Sequence, residues 1–144
     1  MKKQSLKKAV VLIGIVMAIC QAGVVSSHQL INSLTAVDAV DHFLVTCSEA
    51  DNHHLYAQID DLRVVDNRQF NLLVAKDKVA SSATNPDGES SPVIRLAGGV
   101  GVYHVYVSQI VGGDKAANYQ LIFHCEDVDN AHFETSVLTK IDQP

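Results

Sequence analysis

Apolar residues recur at every second position through the middle of this chain, and that period of two commits it to β-strands. Phe43, Val45 and Cys47 alternate with His42, Leu44 and Thr46; Leu55, Ala57 and Ile59 alternate with His54, Tyr56 and Gln58; Phe70, Leu72 and Val74 obey the same rule. Successive side chains of a strand point to opposite faces, so each set marks one buried face. Residues 93–96 read as a short strand, 102–109 as the strongest strand of the chain, 118–125 as another and 133–138 as a last one. Between them lie turn signals: the polar run 81–91, read as a surface loop, then Gly98-Gly99-Val100-Gly101 and Gly112-Gly113-Asp114. With no amphipathic helical period anywhere, the expected fold is all-β: an antiparallel β-sandwich or jelly roll in one domain over residues 28–144.

The start of the chain follows a different rule. Lys2, Lys3, Lys7 and Lys8 precede an apolar run from Ala9 to Cys20 and a small-residue zone up to Ser27. About a dozen apolar residues are too few to span a bilayer, and the arrangement is that of a secretory signal peptide, residues 1–27. Val25 and Ser27 suit the small-residue positions before a cut at His28, and Cys20 and Ala22 offer an alternative cut before Gly23. A lipid-anchored reading through Cys20 is opposed by Ile19, where a smaller residue is required. The expected protein is therefore exported, to the periplasm or beyond, with no transmembrane segment in residues 28–144.

Removing the leader leaves 7 basic against 16 acidic residues, a formal net charge of −9. Such a surface argues against nucleic acid, whose phosphates demand a basic face. It also leaves two cysteines, Cys47 and Cys125, and in an oxidising compartment an even pair reads as a disulfide. The phase of the strands agrees. Cys47 shares a face with Phe43 and Val45, and Cys125 shares one with Tyr119, Leu121 and Phe123. The two strands could be neighbours in one sheet or face each other across the core. Closing a loop of about 77 residues would contribute about 4 to 5 kcal/mol by chain entropy.

Asp41-His42-Phe43, the run from Gly99 to Val107 with its Gly-x-Tyr-x-Val-x-Val pattern, and the closing Tyr119-Gln120-Leu121 resemble the bacterial pre-peptidase C-terminal domain over roughly residues 38–125. That resemblance implies a non-catalytic secreted β-sandwich, of a kind appended to hydrolases and in some members binding calcium, collagen or carbohydrate. The cysteine pair is an addition to that pattern.

Catalytic constellations are weak. No Gly-x-Ser-x-Gly elbow is present, and paired acids such as Asp60-Asp61 or Asp127 with Asp129 suit turns better than an acid/base dyad. An enzyme is not expected. Histidine is the chemical oddity, because all seven lie within residues 28–144. If 102–109 and 118–125 formed a hairpin, His104 and His124 would both point outward and could share a metal. An N-terminal His28 could add its amine and ring. On this reading His28, His104 and His124 bind copper or zinc, although no motif requires a cofactor. Calcium is a lesser alternative, using Asp127, Asp129, Asn130 and Glu134, or Asp38 and Asp41. The expectation placed first is a binding or accessory module whose open sheet face, His104, Tyr106, Gln120, Ile122 and His124, contacts a protein or glycan.

Overall fold

The computed structural model describes residues 27–36, 38–48, 53–63, 68–86, 88–111 and 116–143. Residues 1–26 of the expected signal peptide and the expected turn at 112–114 lie outside them. Ten strands occur in chain order: β1 (His28–Leu34), β2 (Val40–Cys47), β3 (His54–Asp61), β4 (Gln69–Lys76), β5 (Val79–Thr84), β6 (Ile94–Ala97), β7 (Gly101–Val111), β8 (Ala117–Glu126), β9 (His132–Phe133) and β10 (Thr135–Gln143). They form two antiparallel sheets, β1-β8-β3-β6 with β9 on β8, and β10-β2-β7-β4-β5. The protein is a β-sandwich. Among the described residues no helix is long and apolar enough to cross a membrane.

The period-two sets supply the core. Leu55, Ala57, Ile59, Tyr119, Leu121, Phe123 and Cys125 line the inner face of the first sheet, and Phe43, Val45, Cys47, Phe70, Leu72, Val74, Tyr103, Val105 and Val107 that of the second; each is at most 2% exposed. Cys47 on β2 and Cys125 on β8 form a disulfide across that core, with their Cα atoms 5.7 Å apart. Of the two arrangements open in the sequence, the bridge therefore joins opposite sheets.

The structure corrects three expectations. First, β7 and β8 do not form a hairpin: β7 pairs with β2 and β4, and β8 with β1, β3 and β9. Alternation assigns each strand a buried face but not a neighbour, and both strands are central in their own sheets. Second, the polar run 81–91 is not wholly a loop, because residues 81–84 belong to β5, an edge strand paired with β4. The turn at Asp77 takes φ 53°, which Asp tolerates better than most residues. Edge residues such as Ser82 and Thr84 are exposed and need no apolar alternation. Third, the last expected strand is two: β9 stays with the first sheet, and after Glu134 the chain crosses to run as β10 beside β2. Strand β1 lacked a sequence signal, because Ile31 points outward and is 73% exposed.

Candidate metal centre on the outer face of the first sheet

Sheet register gathers polar side chains at one end of the first sheet. His54 lies opposite Glu126 and Tyr56 opposite His124 on the β3–β8 ladder, Arg95 opposite Tyr56 on β6, and His132 opposite Glu126 on β9. All belong to the outward phase, yet they cover one another. Glu126 is 2% exposed and His124 5%.

Glu126 is the hub. Its Oε1 accepts hydrogen bonds from His54 Nε2 and Arg95 Nε, both at 2.7 Å, and its Oε2 accepts from His124 Nε2 at 3.0 Å. Burial pushes this carboxyl up, but the bonds from His124, Arg95 and His54 outweigh it and hold the group below its ordinary value. A buried carboxylate is tolerated here because charge-assisted donors replace its water. The His124 ring is stacked between Tyr56, centroids 4.3 Å apart, and His132, 3.7 Å apart. Arg95 spreads over the Tyr56 ring at 5.1 Å. Burial lowers the His124 pKa despite the opposing bond to Glu126, so its ring is neutral at pH 7.

A tight turn delivers His132. Asp127 Oδ1 accepts the N–H groups of Asp129 at 2.8 Å and Ala131 at 2.9 Å, and Asn130 takes φ 61°. Asp127, considered above as a calcium ligand, thus shapes the turn through Oδ1. Thr135 Oγ1 accepts the N–H of Cys125 at 2.7 Å where β9 gives way to β10.

His124, Glu126 and His132 each place a ligand-type atom within 4.8 Å of the others'. Two of the imidazole nitrogens, His124 Nδ1 and His132 Nδ1, are buried without a hydrogen-bond partner among the described residues. Buried polar atoms nearly always have one; on His124, whose Nε2 donates to Glu126, the Nδ1 is an acceptor with nothing to accept. His53, 1% exposed, stacks on Phe133 at 4.2 Å, and neither of its ring nitrogens has a partner among the described residues.

The residues anticipated from sequence fall in separate places. Gln120, Ile122 and His124 share the outer face of the first sheet, where Gln120 Nε2 donates to Gln29 at 2.8 Å. His104 and Tyr106 lie on the outer face of the second, where His104 Nδ1 meets His42 Nε2 at 2.9 Å and Tyr106 stacks on His42 at 4.3 Å. The expected single binding face is therefore two faces on opposite sides of the sandwich. His28 stacks on Phe123 at 5.6 Å at the start of edge strand β1. Packed sheets lie about 10 Å apart, so outward side chains of opposite sheets cannot meet. His28, His104 and His124 do not form one metal site. Asp41, another of the anticipated calcium ligands, is buried, with Asn32 Nδ2 at 3.1 Å, Lys140 Nζ at 3.3 Å and the Tyr119 hydroxyl on its carboxylate.

Glu126 and Arg95 escaped the sequence reading. The only available signal was phase, since Glu126 falls two residues after His124 and therefore on the same face of a strand. Compared with known proteins, the chain matches no family model and no curated protein.

Proposed function

We propose that this protein is an exported, non-catalytic β-sandwich that binds a transition-metal ion, zinc or copper, through His124 and His132 beside Glu126. One observation carries the reading: two histidines that cluster with a buried carboxylate each keep a buried ring nitrogen without a partner among the described residues. Neutral imidazole is the protein ligand that suits both metals. The disulfide supports an oxidising compartment, and the sandwich supports an accessory module of the pre-peptidase C-terminal kind, with the metal as an addition to that role. Loading the purified protein with Zn²⁺ or Cu²⁺, desalting it and measuring metal content tests the proposal. One ion per chain is expected in the native protein and none in a His124→Ala, His132→Ala double variant. Equal retention by both would sink it.

A second reading has its own observation. Tyr106, His42 and His104 form a stacked row on the opposite face, with His42 buried between two half-buried rings whose edges suit a protein or glycan partner. Tyr106→Ala would then abolish partner capture without changing metal content; unchanged capture would exclude that face.

A further inference from the structure

The roles within the cluster follow from hydrogen-bond chemistry, given the metal-binding reading above. An ionised carboxylate only accepts hydrogen bonds, and a neutral imidazole carries one N–H and one bare lone pair. Glu126 already receives three donors, two on Oε1 and one on Oε2. The His124 nitrogen facing it is Nε2, so the proton of this ring sits on Nε2 and the lone pair on Nδ1. That Nδ1 is the buried atom without a partner. A metal approaching Nδ1 meets a ready ligand. A metal approaching Glu126 competes with charge-assisted bonds from Arg95, His54 and His124 for a carboxylate whose Oε1 already holds two donors and whose Oε2 holds one.

We infer that Glu126 is the positioning residue and not a ligand: the ion binds Nδ1 of His124 and Nδ1 of His132, while Glu126 fixes His124 in the Nε2–H tautomer. A carboxylate behind a metal-bound imidazole orients the ring and raises its basicity. Arg95 and His54 hold the carboxylate in turn, and they keep these bonds when the ion is present. The two ligands are unequal. His124 is clamped between Glu126 and Tyr56 on a central strand. His132 lies face to face with it at 3.7 Å, the planes 13° apart, so the two in-plane lone pairs run side by side and do not converge. Half-buried on the two-residue β9, His132 is the ring that turns out of the stack to close on the ion.

Long-range ¹H–¹⁵N correlation spectra of the labelled full protein test this. Without metal, His124 is expected as the Nε2–H tautomer. Added Zn²⁺ should move the Nδ1 resonances of His124 and His132 and leave the His124 Nε2–H in place. Zinc affinity provides the second arm: Glu126→Gln should weaken it by about 10- to 100-fold, as outer-shell partners do, whereas His124→Ala abolishes it. An Nδ1–H tautomer of His124, or zinc on its Nε2, overturns the assignment. So does a Glu126→Gln variant that loses zinc as completely as His124→Ala, and in that case the metal reading survives with Glu126 as a ligand. Absence of zinc uptake by the native protein overturns both. Should Glu126→Gln fail to fold, the spectra of the native protein decide alone.

Discussion

Two charged side chains are buried at the same end of the sandwich, Lys76 at 6% exposure and Glu126 at 2%, and they are satisfied differently. Lys76 Nζ donates to the carbonyls of Gly98 at 2.6 Å, Gly99 at 3.0 Å and Val100, and lies 4.6 Å from the centre of the Tyr103 ring. Three protons meet three carbonyls, and the Tyr103 hydroxyl donates to Gly99 O at 3.0 Å. Burial, with Asp77 adding to it, pushes that hydroxyl up to about 12, so it remains a donor at any physiological pH. Nothing fits between them: a Cβ on Gly98 would lie 2.7 Å from Lys76 Cδ. Glu126 accepts three charge-assisted donors, but Nδ1 of His124 and of the His132 stacked on it have no partner among the described residues. A buried charge whose whole shell is satisfied is architecture. One whose shell keeps bare lone pairs is a place for a ligand.

The disulfide underlies both regions, since Cys47 lies opposite Gly101 beside the Lys76 cage and Cys125 lies between His124 and Glu126 in sequence. Replacing both cysteines by serine is expected to cost the most, about 4 to 5 kcal/mol in urea unfolding. A loss below about 1 kcal/mol would mean that the bridge is dispensable. Lys76→Met should cost about 3 kcal/mol or more, because three carbonyls lose their donor, and should leave zinc uptake unchanged. Altered uptake would break the distinction between the two regions. Glu126→Gln should cost the metal-free protein roughly 2 kcal/mol, as Arg95 and His54 lose a charged acceptor.

The smallest expected effect is on pH dependence. Burial lowers the pKa of His124 and, with His104 adding to it, that of His42 below the ordinary 6.5. Below pH 6.5 the unfolded chain therefore takes up protons that the folded chain refuses. Stability is expected to be full above that pH, to decline as pH falls through it, and to level off once the folded-state values are passed. Glu126 acts at lower pH: its contribution is present above the ordinary carboxyl value of 4.5 and is lost as pH falls through its depressed folded value. Urea midpoints of the metal-free protein between pH 7.5 and 5.5 measure the histidine part. His42→Gln or His124→Gln should flatten the curve, and a native curve already flat would remove both groups from the account.

Much of the fold was legible because burial is written in phase. The alternation through Phe43, Leu55, Phe70, Tyr103 and Tyr119 identifies the inner faces, and it places Cys47 and Cys125 toward the core together. What it omits is pairing. The 102–109 and 118–125 patterns look like partners in sequence yet belong to different sheets, and β1 and β5 go unseen because edge strands need not alternate. The site suffers most from that gap. His54 and Arg95 meet Glu126 from 72 and 31 residues away, through registers that no local pattern encodes. His124 and His132 could be named as imidazoles of interest, but that they stack, with nitrogens left bare, is visible only once β9 lies beside β8.

Native mass spectrometry of the intact, disulfide-bonded protein, exposed to equimolar Zn²⁺ and then exchanged into volatile buffer, tests the central claim most directly. The account predicts a single added zinc on the native chain and on Lys76→Met if that variant folds, and none on the His124→Ala, His132→Ala variant. A native chain that emerges metal-free, or a double variant that keeps its ion, would contradict it.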